Sequence, residues 1–193
     1  GCGVVACDIN PMSYWIVKEE VESLDLEAYR NAASGLCSAL ERDIGELYRT
    51  KCALCSSPEA SVKYFLWVKC LPCKGCGRNL DLLPGLLVAR NQRHPLNVFV
   101  CWKCGQLTES ENSRGPGACP HCAASLTAFT PARQNSCRCP ECGERNSYPR
   151  PESGPPQHRL FALEYHCRAC RPRHKGRFFK APDSDDLAKY MAA

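Results

Sequence analysis

No apolar run among the 193 residues approaches the ~18–20 needed to span a membrane. No charged stretch followed by an apolar core marks a secretory leader either. Residues 51–180 lack a helix signal of useful length, and residues 1–50 lack proline except at Pro11. The chain also lacks an initiator methionine. It opens with "GCGVVACDINPMSYW", an apolar stretch running straight into a helix start, and so reads as an internal piece of a longer polypeptide. These gaps exclude a membrane-spanning helix within these residues.

What the chain has in excess is cysteine, 17 residues of it. An odd number fits poorly with complete disulfide pairing, and most of these residues come as C-x-x-C, which disulfide scaffolds rarely use. Thiolates held by metal in a reducing, cytoplasmic setting are the reading that follows.

Charge is divided unevenly. Residues 1–50 carry 4 Lys/Arg against 9 Asp/Glu, whereas residues 51–182 carry 20 against 8, a net of +12. A basic segment of this kind suits a polyanionic partner. Four thiolates around one Zn²⁺ carry a net −2, so three such sites would reduce that +12 to about +6.

The local signals divide the chain into three. Asn10 as N-cap and Pro11 at the first helical position predict a helix over Pro11–Val21. A second helix is expected from just after Asp25 to about Thr50. Its apolar positions Leu26, Tyr29, Ala33, Leu36, Leu40, Ile44 and Leu47 form one stripe, with Cys37 beside it as a buried small hydrophobe. Residues 51–180 alternate cysteine pairs with turns and short β-like runs such as Lys63–Val68, Val98–Val100 and Leu160–Leu163. "ENSRGPGA" and "PRPESGPPQHR" read as loops. A last helix starts near Pro182, capped by Asp183 or Ser184, with Asp185 and Asp186 in its first turn.

Six C-x-x-C units stand out: Cys52/Cys55, Cys73/Cys76, Cys101/Cys104, Cys119/Cys122, Cys139/Cys142 and Cys167/Cys170. Two residues between thiolates allow a tight turn that aims both sulfurs at one Zn²⁺, and a following glycine (Gly77, Gly105, Gly143) relieves that turn. Joining sequence neighbours leaves loops of 17 residues (56–72), 14 residues (105–118) and 24 residues (143–166). This predicts three structural zinc ribbons in series, at about 51–80, 98–126 and 136–181. A redox C-x-x-C comes singly at a helix start, and a catalytic zinc needs an open coordination position, so neither fits. A zinc deaminase would need an acid before its P-C-x-x-C, and none stands there.

Cys70 and Cys137 leave the register open, since each offers an alternative ligand to the pair beside it. His121 and His166 abut ligands and read as neighbours of the metal rather than ligands, and His94 has no partner in view. Phe178 and Phe179 read as strand core, and Trp67 and Trp102 as apolar cover for the ribbons. The basic run Arg168, Arg171, Arg173, Lys175, Arg177 and Lys180 supplies candidate nucleic-acid contacts.

"GVVACDINPMSYWIVK" resembles the second strand and following helix of a class I S-adenosylmethionine-dependent methyltransferase. With "YFLWVKCLPCKGCGRNLDLLPGLLVA", "RHPLNVFVCWKCGQL", "CRCPECGERNSYPRP" and "GRFFKAPDSDDLAKY", the chain is similar to adenine-specific DNA methylases that carry an inserted zinc-ribbon region. The resemblance implies S-adenosylmethionine as cofactor of the intact protein, DNA as its partner, and Asp8 as the carboxylate on the cofactor's ribose hydroxyls. A carboxylate at the end of a parallel strand can accept two such hydrogen bonds. The family's glycine-rich cofactor loop and its [DNS]-P-P-[YFW] motif are missing, so no catalytic residue is assigned.

The expected fold is α+β. Residues 1–50 would be a partial methyltransferase core with a Rossmann-like strand–helix segment and a long helix. Residues 51–181 would be the zinc-ribbon β-hairpins in series, and 182–193 the start of a helix. The competing expectation is a freestanding zinc-ribbon adaptor for nucleic acid or protein.

Overall fold

The computed structural model describes residues 3, 5, 7–92, 94–114, 116–127, 132, 136–148, 154 and 157–192, in two units, Gly1–Glu46 and Leu47–Ala193. Val4 and Ala6, half of the expected opening strand, lie outside the described residues, as does most of the 149–156 loop.

The first unit holds α1 (Pro11–Val21) and α2 (Leu26–Ile44). Both start where their caps dictate. The Asn10 side chain accepts the Met12 N–H at 3.0 Å, and Asp25 accepts those of Glu27 and Ala28 at 3.0 Å each. α2 ends about six residues earlier than the expected end near Thr50. It passes into a 3₁₀ turn at Gly45–Tyr48, because Arg49 and Thr50 are taken up as a strand. Neither helix buries a side chain. Leu26, Tyr29, Leu36 and Leu40 are exposed, and so is Cys37, contrary to its expected burial. The periodicity did mark a helix, but most of its apolar positions stay exposed, Ala33 being half-buried.

The second unit is antiparallel throughout its described strands. Its main sheet has the order β1 (Arg49–Thr50), β2 (Ala60–Pro72), β9 (Gln157–His166), β10 (Arg177–Lys180), with β3 (Asn79–Asp81) pairing at the far end of β2. β4 (Leu87–Ala89), β5 (Asn97–Val100) and β6 (Leu107–Ser110) form a second sheet, and β7 (Ser136–Arg138) and β8 (Arg145–Ser147) a third.

The spine is the β2–β9 ladder, running from Ser61↔His166 to Cys70↔Gln157 with two bulges. β2 alternates Ala60, Val62, Val68 and Cys70 inward, while Tyr64 and Trp67 stay half exposed. Trp67 packs on Tyr190, with ring centres 6.3 Å apart, and is not among the residues clustered around the cysteines. α3 (Ser184–Ala192) closes the unit. Asp183 is its cap: its Oδ1 accepts the Asp186 N–H at 2.9 Å, and Asp186 Oδ2 accepts the Asp183 N–H at 3.0 Å. Tyr190 donates its hydroxyl to the Leu47 carbonyl at 3.1 Å, and Thr50 donates to Asp186 Oδ1 at 2.6 Å, so the two ends of the unit meet.

Candidate metal centres

The strand ladder decides which knuckles meet. β2 joins the first two, and its 13 residues separate them by roughly 43 Å of extended chain. These knuckles cannot share an ion. Because β9 runs antiparallel to β2, its end at His166 lies beside the start of β2. The sixth knuckle therefore meets the first, and the fifth meets the second.

The sulfurs accordingly gather as Cys52, Cys55, Cys167 and Cys170 (outer), Cys73, Cys76, Cys139 and Cys142 (middle), and Cys101, Cys104, Cys119 and Cys122 (inner). All twelve expected ligands are brought together, but only the inner pairing is between sequence neighbours. The series of three ribbons is corrected to three nested centres. The 17-residue loop looked like a ribbon hairpin, and it is instead one long strand.

Within each tetrad the sulfurs lie within 4.8 Å of one another. Contacts across the two knuckles are 3.9 and 3.6 Å in the outer tetrad, 3.6 and 3.7 Å in the middle one, and 3.6 and 3.7 Å in the inner one. A tetrahedron with Zn–S of ~2.3 Å has edges of about 3.8 Å, whereas a disulfide would bring sulfurs to about 2.05 Å. Four thiols at the first spacing and none at the second fit a closed Cys₄ site with no position left for substrate or water. Each tetrad also sits in its own apolar cluster: Ala60, Tyr165 and Phe178 around the outer, Leu71, Leu80 and Leu82 around the middle, and Leu86, Phe99, Val100 and Leu126 around the inner.

Five knuckles share one backbone form. The N–H of the first cysteine bonds the carbonyl five residues on, and the N–H four residues on returns to the cysteine carbonyl, at 2.7–2.9 Å throughout. That fourth residue is left-handed in all five: Gly77, Gly105 and Gly143 as expected, but also Ser56 and Ala123, each at φ 59°. The sixth knuckle differs. Cys167 N–H bonds the carbonyl of Gly176, nine residues on, so Arg171–His174 amount to a four-residue insertion.

Two buried groups that spacing could not reveal complete the shells. Asn146, fully buried, donates to Cys73 Sγ at 3.4 Å and accepts the Lys74 N–H at 2.8 Å. Tyr165, also fully buried, accepts the Ala53 N–H at 3.0 Å with its oxygen 3.8 Å from Cys52 Sγ. Both lie in strands whose alternation marks them only as inward-facing. Trp102 donates to the Ser125 carbonyl at 3.0 Å beside the inner centre.

One sulfur per tetrad is primed as a thiolate. Burial opposes ionisation of Cys52, but the N–H groups of Cys55 and Leu54 and the Tyr165 hydroxyl outweigh it and bring the thiol down to about 6. Burial is likewise outweighed at Cys73, down to about 6, by the Cys76 N–H and the Asn146 amide. The Ala124 N–H takes Cys122 down to about 7. Neighbouring sulfurs are pushed the other way. Cys170 rises to about 12 through its contact with Cys55 and through burial, and Cys104 rises to about 12 through burial. Cys142 rises to about 12 because burial and the Cys139 and Cys73 sulfurs override the Glu144 N–H.

Cys70 and Cys137 are buried outside the tetrads, which settles the register in favour of Cys73 and Cys139. His121 and His166 ligate nothing in the three groups. His94 is buried, with Nδ1 3.1 Å from the Leu96 carbonyl and Nε2 3.6 Å from Glu109. Phe178 is core. Asp8 is exposed, its Oδ1 accepting the Asn10 N–H at 2.7 Å, and it lines a shallow cavity of about 290 Å³ with Tyr14, Val17 and Lys18.

Of the basic run, Arg177 pairs with Glu164 at 2.7 Å. Lys180 is held by Asp183 at 2.6 Å and Asp186 at 2.9 Å. Arg168, Arg171, Arg173 and Lys175 are exposed. No helix of the described residues is long and apolar enough to cross a membrane.

Comparison of the chain with known protein families, curated proteins and solved structures returned no match.

Proposed function

We propose that Leu47–Ala193 is a scaffold stapled by three structural Zn²⁺ ions, held by the outer, middle and inner cysteine tetrads. The observation that carries this is the sulfur spacing of 3.6–3.9 Å across every pair of knuckles. Bound zinc would supply cross-links that the small separate cores do not. Four thiolates at each ion leave it no catalytic position. The chain's own part is to present one low-pKa sulfur per site, aim backbone N–H groups at the sulfurs and exclude water with Tyr165, Asn146 and the clusters around them.

The larger reading rests on the resemblance to zinc-ribbon-bearing adenine-specific DNA methylases. In it the scaffold belongs to an enzyme with S-adenosylmethionine as cofactor, Asp8 on its ribose and DNA as its partner. The exposed, solvent-facing carboxylate of Asp8 next to a cavity is compatible with that role.

Metal analysis of the purified chain tests the scaffold: close to three equivalents of zinc are expected, with chelation unfolding residues 47–192. Fewer than two equivalents would overturn it. The methylase reading is tested separately on the gene. It requires a glycine-rich loop encoded just upstream of Gly1 and a [DNS]-P-P-[YFW] motif downstream of Ala193, and fails if neither is encoded there.

A further inference from the structure

We infer that the sixth knuckle is a phosphate-contacting turn for a nucleic-acid backbone, displayed by the outer metal centre. This deepens the DNA reading above and rests on the outer tetrad holding its ion.

The first ground is the insertion. Five knuckles close over five residues and the sixth over nine, and the four added residues, Arg171-Pro172-Arg173-His174, include two arginines. The other knuckles bring their sulfurs to the same spacing without that length.

The second ground is that the longer turn is held in an unfavourable conformation. His174 and Lys175 are consecutive left-handed residues, at φ 53° and 52°, which side chains other than glycine's resist. Gly176 follows at φ 75°, where an added Cβ would meet the Cys167 carbonyl at 2.7 Å and His166 Nε2 at 2.8 Å. Backbone bonds from Arg173 to Cys170 at 2.9 Å and from Gly176 to Arg173 at 2.8 Å brace the turn. The His174 ring anchors it against His94 at 4.8 Å and Phe178 at 5.3 Å. The turn is therefore a fixed platform.

The third ground is what it displays. Arg168, Arg171, Arg173 and Lys175 are exposed, and none forms an ion pair among the described residues. Glu164 and Asp183, the acids that bracket this stretch in sequence, are taken by Arg177 and Lys180. Three of the four free cations are arginines, whose planar guanidinium grips a phosphate through two bonds. The turn carries no large exposed apolar side chain to insert into a lipid surface, and no exposed aromatic to stack on a base. Its chemistry reads phosphates and positions them, without choosing a sequence.

The test uses the full zinc-loaded chain and a fluorescein-labelled DNA duplex, with anisotropy followed over a range of salt. The triple variant Arg171→Gln/Arg173→Gln/Lys175→Gln is expected to bind at least ~10-fold more weakly at low salt and to lower the log–log salt slope by about 0.9 per residue replaced. The control Lys63→Gln/Lys69→Gln/Lys103→Gln removes the same charge from other exposed positions and should leave affinity within ~2-fold.

Equal losses from both triples would overturn the inference in favour of diffuse charge. Absence of duplex binding at low salt, with or without binding to phosphatidylserine vesicles, would overturn it too. Zinc content is measured on every variant, so failure of the scaffold and failure of the turn are told apart. If the triple loses metal, Arg168→Gln/Lys175→Gln replaces it, with an expected slope change of about 1.8.

Discussion

The guanidinium of Arg78 lies 5.7 Å from the centre of the Trp102 ring, and so reaches from the middle centre to the inner one. The same group donates to Glu141 at 2.6 Å, inside the fifth knuckle, and to the Lys103 carbonyl at 2.8 Å, inside the third. One side chain thus joins three knuckles of two centres. Arg78→Lys keeps the charge but not the fork, and should lower stability by about 1–2 kcal/mol with zinc content unchanged. Urea unfolding checks this, and a wild-type midpoint would mean the bridge is idle.

Nesting is testable by counting metal. Cys52→Ser/Cys167→Ser removes two ligands of one site and should leave two zinc ions. Cys52→Ser/Cys73→Ser disables two sites and should leave one. A serial arrangement of ribbons gives the reverse result.

Zinc uptake should release protons. At neutral pH Cys52 and Cys73, at about 6, are already ionised, whereas Cys170, Cys104 and Cys142, at about 12, are not, and Cys167, Cys101 and Cys76 are raised as well. Each ion must therefore displace at least about two protons at pH 7, and acidification must favour metal release. Calorimetric titration in buffers of different ionisation enthalpy measures this, and a buffer-independent heat would contradict it.

The left-handed position of the knuckles predicts opposite signs for two kinds of substitution. Ser56→Gly and Ala123→Gly relieve a Cβ at positive φ and should stabilise by about 0.5–1 kcal/mol each. Gly77→Ala and Gly143→Ala should destabilise by about 1–2 kcal/mol. Denaturant titration of zinc-loaded protein separates them.

Acid should loosen the cap of α3. Burial raises the Asp183 carboxyl, but donation from Lys180 and from the Asp186 N–H outweighs it and holds the pKa below its ordinary value. A depressed carboxyl contributes stability in full above the ordinary range of ~4, and loses it as pH falls through the depressed value. In Lys180→Met the Asp183 titration followed by NMR should move back up toward ~4. An unmoved midpoint would mean that Lys180 is not the cause.

Ligand identity was legible in the sequence and ligand partnership was not. C-x-x-C spacing and the glycines after it report a local turn, and that turn is present at all six places. Partnership depends on whether the chain between two knuckles folds back. Lys63–Val68 showed a strand but not that the strand runs on to Pro72, pairs with β9 about a hundred residues later and carries the second knuckle away from the first. The inner pair was legible because Gly105–Ala118 is too short to do anything but return. The α1 and α2 boundaries followed from Asn10, Pro11 and Asp25, which act locally. Tyr165 and Asn146 could be marked as inward-facing, but which sulfur they would meet is settled only by the ladder.

The meeting of Thr50 with Asp186, and of Leu47 with Tyr190, has a further consequence. However many residues the second unit contains, its backbone departs and comes back at a single spot. For a polypeptide carrying it, the unit therefore occupies the place of one tight bend. The loops between its strands can lengthen or shorten without altering the distance between Thr50 and Asp186.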